Sequence, residues 1–146
     1  MKRQKFSLQT ILDLREKAKE KAKEVLAAAI RDRDLAAGRV AQAAARLDEL
    51  TRMISGERFP AFVRAQSWDA LTAQRDLLRT LQYRLAQEEK KVAEKRELLI
   101  AADRDHRLVC KLKEKWERGV AIEQARHEEK LLEDFVTATR FLQTAH

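Results

Sequence analysis

The sequence LTAQRDLLRTLQYRLAQEEKKVAEKRELL (residues 71–99) decides the fold of this chain, because it places an apolar residue at every seventh position. The repeat consists of Leu71, Leu78, Leu85, Val92 and Leu99. This spacing is typical of an α-helix that packs one stripe against a partner helix in a coiled coil. The companion positions, three of them polar, are Gln74, Leu81, Glu88, Lys95 and Ala102. We expect the stripe to continue through Val109, Leu112 and Trp116.

A second apolar pattern lies upstream, where Ser7 can cap a helix that runs to about Ile54. Its two parts are Ala18, Ala22, Val25 and Ala29, and then Val40, Ala43, Leu47, Leu50 and Ile54. The pattern slips once between them, through Arg33 and Ala36, which predicts a stutter that locally unwinds the supercoil. Because the middle of this stripe is mostly alanine, the partner helix can approach closely there.

The only proline separates the two patterns, in the sequence Ser55-Gly-Glu-Arg-Phe-Pro60. Pro60 disfavours helix at Phe59 and cannot donate a hydrogen bond to a preceding turn. Ser67 is then the expected N-cap of the next helix. The expected elements are helix 1 at about 7–54, a turn within about 55–66, and helix 2 at about 67–143.

A short connection between two long striped helices predicts a single all-α domain over residues 1–146, a long antiparallel two-helix coiled-coil hairpin with a longer C-terminal helix. If Ile54 pairs with Ser67, residue i of helix 1 lies opposite about residue 121 − i of helix 2. The start of helix 1 then lies opposite about Lys113. About thirty residues of helix 2 then lack an intramolecular partner. Their apolar stripe consists of Leu131, Phe135, Ala138 and Leu142, flanked by Leu132, Val136 and Phe141. Such a stripe needs burial, by self-association or by insertion into another protein.

The composition excludes several other classes of protein. Three glycines and one proline are too few for the frequent turns of β-sandwiches, barrels or α/β domains. The single cysteine, Cys110, excludes a disulfide framework. No apolar run approaches the length of a membrane span, and Asp13 and Glu16 interrupt the basic start. We therefore expect no membrane span and no signal peptide, and we expect the protein to be cytoplasmic.

The sequence contains no motif that indicates catalysis or cofactor binding. The three isolated glycines cannot form a phosphate-binding loop. Asp103, His106 and Cys110 share one helix face and could hold zinc, but a structural zinc site needs four ligands and no fourth converges on them. Carboxylates are abundant, yet two packed helices offer no desolvated pocket to perturb their pKa values. We therefore expect a protein that is not an enzyme and that holds no metal or cofactor.

The formal charge of +7 raises nucleic-acid binding as an alternative. Residues 1–23 hold eight basic and three acidic residues. A basic helix that reads DNA has a denser basic run and a base-reading set of Asn and Arg. We therefore expect non-specific affinity in low salt and no specific nucleic-acid partner.

Three stretches carry a family resemblance. The first is the opening Phe6-Ser-Leu-Gln-Thr-Ile-Leu-Asp-Leu-Arg15, followed by alternating Lys, Glu and Ala. The others are Leu108-Val-Cys-Lys-Leu-Lys-Glu-Lys-Trp-Glu117 and Glu123-Gln-Ala-Arg-His-Glu-Glu-Lys-Leu-Leu-Glu-Asp-Phe135. Together they resemble the FliJ family, the central-stalk component of the flagellar export ATPase, and the related YscO-like family of injectisomes. Leu132-Glu-Asp134 replaces the family's Leu-Asp-Glu, which leaves the flagellar and injectisome systems both open.

The resemblance implies a fold similar to the two-helix coiled coil of the rotary ATPase gamma subunit. It implies a monomeric, non-enzymatic stalk that inserts its terminal end into a hexameric export ATPase, associated peripherally with a membrane complex. It also implies contacts with the cytoplasmic domain of the export gate and with export chaperones. The expected ATPase-binding residues are Phe6, Leu8, Ile11, Arg126, Lys130, Leu131, Leu132, Phe135, Val136, Phe141 and Leu142.

The turn end of the hairpin concentrates more apolar surface than two helix ends need. The expected gate- or chaperone-binding residues there are Leu50, Met53, Ile54, Phe59, Trp68 and Leu71. The same residues can instead form a hydrophobic plug that closes the hairpin. Two other interpretations of the whole chain stay open: a generic coiled-coil adaptor or self-assembling scaffold, and a basic helical protein that binds nucleic acid.

Overall fold

The computed structural model describes residues 5–56 and 60–145, and these residues form two α-helices. Helix α1 is Gln9–Gly56, with 48 residues, and helix α2 is Ala61–Thr144, with 84 residues. No residue in the described ranges belongs to a β-strand. The two helices pack against each other, so the predicted all-α hairpin with a longer second helix is confirmed.

The beginning of α2 differs from the expectation, because the helix starts at Ala61 and not at residue 67. The carbonyl oxygen of Pro60 accepts a hydrogen bond from the Arg64 amide at 3.0 Å, so Pro60 itself leads into the first turn. A proline fits this position, because the first amides of a helix have no intrahelical acceptor and the fixed φ of proline suits a helix start. Ser67 is therefore an interior residue of α2, and its assignment as N-cap is wrong.

The chain divides into two compact units, and helices α1 and α2 each contribute to both. One unit comprises Lys19–Ala101, and the other comprises the described residues up to Ala18 together with those from Ala102 onward. Each unit contains an α1 segment that pairs with an α2 segment. Whether the chain is a single domain stays a prediction.

In the unit Lys19–Ala101, the heptad pattern of α2 is confirmed by burial. Leu71 and Val92 are buried, and Leu78, Leu85 and Leu99 are half-buried. The polar companion residues Gln74, Glu88 and Lys95 are half-buried as well. They keep their place in the stripe because long polar side chains can cover apolar neighbours with their methylene groups while the polar end reaches water.

The stutter predicted in α1 is wrong. Its inward-facing residues alternate steps of three and four without a slip, and they are Lys19, Ala22, Leu26, Ala29, Arg33, Ala36, Val40, Ala43, Leu47, Leu50 and Ile54. Leu26 occupies the position assigned to Val25, and Lys19 occupies the position assigned to Ala18. Val25 and Ala18 lie at the margin of the inward-facing stripe and are exposed, and the sequence pattern could not separate them from Leu26 and Lys19.

The pairing register in this unit lies within about one helical turn of the expected one. The side-chain amide of Gln74 donates to the carbonyl oxygen of Ala43 at 3.5 Å. The register 121 − i places Leu78 opposite Ala43, so the observed contact lies about one helical turn away from that pair. At this register the alanines at 22, 29, 36 and 43 of α1 lie level with the Leu and Val heptad of α2.

The second unit pairs the start of α1 with the following part of α2. Leu12 is buried, the Phe6 and Trp116 ring centroids lie 5.6 Å apart, and an Arg15 nitrogen lies 3.5 Å from an Asp105 carboxylate oxygen. Leu112 is 49% exposed, so its expected place in the stripe is wrong. Lys113 is half-buried instead, because the regular alternation of steps continues from Val109 to Lys113 and Trp116.

Leu71→Ala should lower the free energy of unfolding by about 2 kcal/mol or more, because it removes buried methyl groups and leaves a cavity. Leu98→Ala is the matched control, since Leu98 is 57% exposed whereas Leu71 is 4% exposed. The control should cost less than about 0.5 kcal/mol. Urea denaturation of both variants measures the difference, and equal losses would mean that the inward-facing side of α2 is assigned incorrectly.

Gly38→Ala should raise the free energy of unfolding by about 0.5–1 kcal/mol, because alanine has the higher helix propensity. A Cβ atom at position 38 would meet nothing within 4 Å, and the backbone there does not have a positive φ. Thermal denaturation followed by circular dichroism tests this. A lower melting temperature would reveal a close helix approach at Gly38 that the structure does not contain.

Candidate partner-binding surfaces

The last part of α2 lacks intramolecular packing. Val120 is the last half-buried residue, and every described residue from Ala121 to Ala145 is exposed. The helix nevertheless continues to Thr144. We call the segment 121–145 the free segment of α2, and it is the first candidate binding surface.

The free segment has a broad apolar side. At 100° per residue, Leu131, Phe135, Ala138 and Leu142 form one row, and Leu132 and Val136 form a second row about 110° further round the helix, with Glu128 between the two rows. Phe135 is 69% exposed, and the other five are exposed too. Phe141 lies at the opposite margin of the first row and is equally accessible. Two such rows are wider than the single narrow seam of a two-helix coiled coil, so this side suits contact with more than one partner element.

The other side of the free segment carries mixed charge. Arg126 and Lys130, the basic members of the expected ATPase-binding set, lie there together with Arg140, and all three are exposed. Glu129 and Glu133 lie on the same side and offset part of the positive charge. The apolar rows are therefore the distinctive feature of the segment.

The structure does not bring the N-terminal members of the expected ATPase-binding set to the free segment. Phe6 and Leu8 are half-buried, and Phe6 packs on Trp116. Leu131 lies fifteen positions after Trp116, which corresponds to about 22 Å along a helix. Ile11 is exposed. Phe6 and Leu8 thus hold the start of α1 in place, and the free segment is a surface of its own.

The second candidate surface lies at the turn end of the hairpin. Met53 and Trp68 are each 60% exposed, whereas Leu50 and Ile54 are half-buried between the helices. Leu71 belongs to the core and is not an accessible contact residue, because its side chain fills the seam. Phe59 lies outside the described residues.

One exposed aromatic residue at this end is absent from the sequence-based set. Phe62 is highly exposed in the first turn of α2. The sequence pattern gives Phe62 no helical position, because it predicts that helix 2 begins only at about residue 67, whereas α2 begins at Ala61. The sequence signal for this residue is Pro60. If a helix begins directly after the proline, Phe62 lies in its first turn and on its surface.

The expected metal and membrane features can be checked on the described residues. Cys110 Sγ lies 3.5 Å from His106 Nε2, and Asp103 pairs with Arg107 at 2.9 Å. Within the described ranges, no group of three or more His, Cys, Asp or Glu residues has a metal-binding arrangement. Neither helix, where described, has a segment long and apolar enough to cross a membrane.

The fold and these two surfaces define a helical-hairpin protein with unpaired apolar faces on its longer helix and at its turn end. The family model of the flagellar FliJ protein matches residues 4–143, nearly the whole chain. The chain therefore belongs to the FliJ family, as the sequence resemblance predicted. No curated protein and no solved structure matches the chain.

Family membership establishes the general role of the protein. The FliJ family is a structural, non-catalytic family of the flagellar export apparatus. The chain is therefore related to flagellar export, and of the two systems that the sequence left open, the family match favours the flagellar one.

Proposed function

We propose that this chain is the non-enzymatic stalk of the flagellar export apparatus, and that its free segment inserts into the ring of a hexameric export ATPase. The observation that carries the proposal is the continuation of α2 through residues 121–145 as an exposed amphipathic helix. A soluble helix that keeps two apolar rows without an intramolecular partner requires a partner that covers them.

The width of the apolar side supports a ring as that partner. A single partner helix would cover one row, such as Leu131 and Phe135, and would leave Leu132 and Val136 in water. The bore of a ring offers surfaces from several subunits, so both rows and Phe141 can be buried together. Apolar burial is worth about 25 cal/mol per Å², whereas an exposed ion pair contributes only about 0–1 kcal/mol. Apolar contact therefore supplies most of the affinity, and Arg126, Lys130 and Arg140 contribute orientation.

The turn end serves in this proposal as the contact for the export gate's cytoplasmic domain or for export chaperones. Met53, Trp68 and Phe62 expose apolar and aromatic surface there. Aromatic side chains supply large contact areas at protein interfaces. In this arrangement a cytoplasmic monomer associates peripherally with the membrane-bound export machinery and needs no cofactor.

A self-assembling scaffold is the second candidate function, and the exposed apolar rows of the free segment favour it as well. Copies of the chain could cover each other's rows through the same residues. The two functions differ in their dependence on concentration. A stalk stays monomeric without the ATPase, whereas a scaffold forms larger species as its own concentration rises, which analytical ultracentrifugation detects.

Phe135→Asp should abolish stimulation of ATP hydrolysis by the export ATPase, because it places a charge in the middle of the apolar side. The melting temperature of the hairpin should change little, since Phe135 is exposed and has no intramolecular packing to lose. ATP hydrolysis rates and thermal denaturation measure the two effects.

Thr137→Asp is the matched control, since it adds the same charge on the charged side of the same segment, where position 137 is exposed. It should retain full stimulation. A Phe135→Asp protein that still stimulates the ATPase would remove the free segment from the mechanism, and one that unfolds would show that the residue belongs to the core.

Trp68→Ala should weaken binding to the gate domain and leave ATPase stimulation intact, because Trp68 lies at the turn end and the free segment is unchanged. Leu98→Ala is the control, since it also truncates an exposed apolar residue of α2. Titration of the gate domain and ATP hydrolysis assays separate the two functions. If Trp68→Ala lost both activities and lowered the melting temperature, the turn-end residues would be a hydrophobic plug and not a binding surface.

A further inference from the structure

A row of basic side chains runs along the outer side of α2, in the stretch just before the free segment. It consists of Arg104, Arg107, Lys111, Lys115 and Arg118, which follow one another at steps of three, four, four and three. All five are exposed. We call them the basic row, and they all lie in the unit that contains the described residues from Ala102 onward.

The basic row faces away from α1. At 100° per residue, its five positions fall within an arc of about 80°. The half-buried residues of the same stretch, among them His106, Val109 and Trp116, are centred about 180° away on the helix. The row therefore makes no contribution to packing of the hairpin.

The charges of the basic row are only partly balanced within α2. Arg107 pairs with Asp103 at 2.9 Å, and Arg118 pairs with Glu114 at 3.8 Å. Lys111 and Lys115 have no ion pair among the described residues. Like charges four residues apart, as at 107, 111 and 115, destabilise a helix slightly. The row is therefore not explained by helix stabilisation.

Two exposed leucines border the basic row. Leu108 and Leu112 lie one helical turn apart, about 40–80° from Arg104 around the helix axis. Both are exposed, although the regular seam of the hairpin runs through Val109 and Lys113 beside them. Five cations next to two leucines form a surface that can make both ion pairs and apolar contacts with a binding partner.

We propose that the basic row, together with Leu108 and Leu112, binds an acidic amphipathic helix of a partner protein. Carboxylates at steps of three and four on such a helix match the steps of the basic row. Leucines on the partner pack against Leu108 and Leu112, as in the recognition of a helix along a groove. The charge complementarity identifies the partner as acidic.

The same residues fit a membrane or DNA less well. An interfacial helix needs a broad apolar side opposite its basic side, and here two leucines adjoin the cations on one side. DNA would attract the cations, but its backbone would leave the leucines without an apolar contact. The proposal does not rest on the stalk function, since binding of an acidic helix requires no ATPase.

The test uses the full chain and a labelled synthetic helical peptide with Glu along one side and Leu one turn apart beside it. Fluorescence anisotropy measures its affinity. The double variant Lys111→Glu/Lys115→Glu should bind about tenfold more weakly, a change that corresponds to about 1.4 kcal/mol. The matched control Arg75→Glu/Arg79→Glu changes the net charge equally, with the same four-residue spacing on exposed positions of α2. It should bind within about twofold of the unchanged chain.

Leu108→Ser/Leu112→Ser tests the apolar part of the surface and should weaken peptide binding by at least about threefold. Circular dichroism reports folding of each variant. Equal weakening by both charge variants would overturn the proposal, because net charge alone would then explain binding. Unchanged affinity of the leucine variant would overturn it as well. So would tighter, row-dependent binding to phosphatidylglycerol vesicles or to a short DNA duplex, since the partner would then belong to another class.

Discussion

The hairpin depends on the packing of an alanine row against a leucine and valine row. At the register 121 − i, which the Gln74–Ala43 contact matches to within about one helical turn, Ala22, Ala29, Ala36 and Ala43 lie level with the large residues of the α2 heptad. Small residues on one helix let the backbones approach, and large residues on the other fill the space between them. Among the described residues, the buried hydrophobic side chains are few, namely Leu12, Ala29, Ala43, Leu71 and Val92. Stability is therefore distributed along the contact and not concentrated in a thick core.

Two charged residues inside the stripe each form an ion pair within their own helix, Arg33 with Asp34 at 2.9 Å and Glu88 with Lys91 at 3.6 Å. Arg33 and Glu88 are both half-buried, and the register 121 − i places them level with each other. A shift by one heptad would put Arg33 level with Leu81 or with Lys95, so it would lose an opposite charge and gain an apolar or a like-charged neighbour. Polar residues at such positions specify register in coiled coils at some cost in stability. The short connection between Gly56 and Ala61 also limits how far one helix can slide along the other.

The sequence predicted the long-range architecture better than its local details. The heptad from Leu71 to Leu99 has one interpretation, because only an α-helix returns every seventh residue to one side. The sequence pattern could not separate Val25 from Leu26, and only the position of the partner helix distinguishes them. Pro60 is compatible with a turn that continues beyond it and with a helix that begins directly after it. The sequence-based prediction extends the turn to about residue 66. The later helix start leaves the exposed Phe62 out of the predicted turn-end set. Leu71 belongs to that set and is buried, as its place in the heptad already indicates.

The two helix lengths predict that the end of α2 has no intramolecular partner. That this segment is nevertheless helical follows from its amino-acid composition. After Gly119 the chain contains no glycine or proline, and Glu, Ala, Leu, Lys and Arg favour helix without tertiary support. Isolated helices are marginal in water, yet this one continues from a packed helix and so avoids the cost of nucleation. Its apolar rows are thus presented on a backbone that is already ordered. A partner that covers Leu131 and Phe135 binds a preformed surface, and little of its binding energy is offset by ordering the chain.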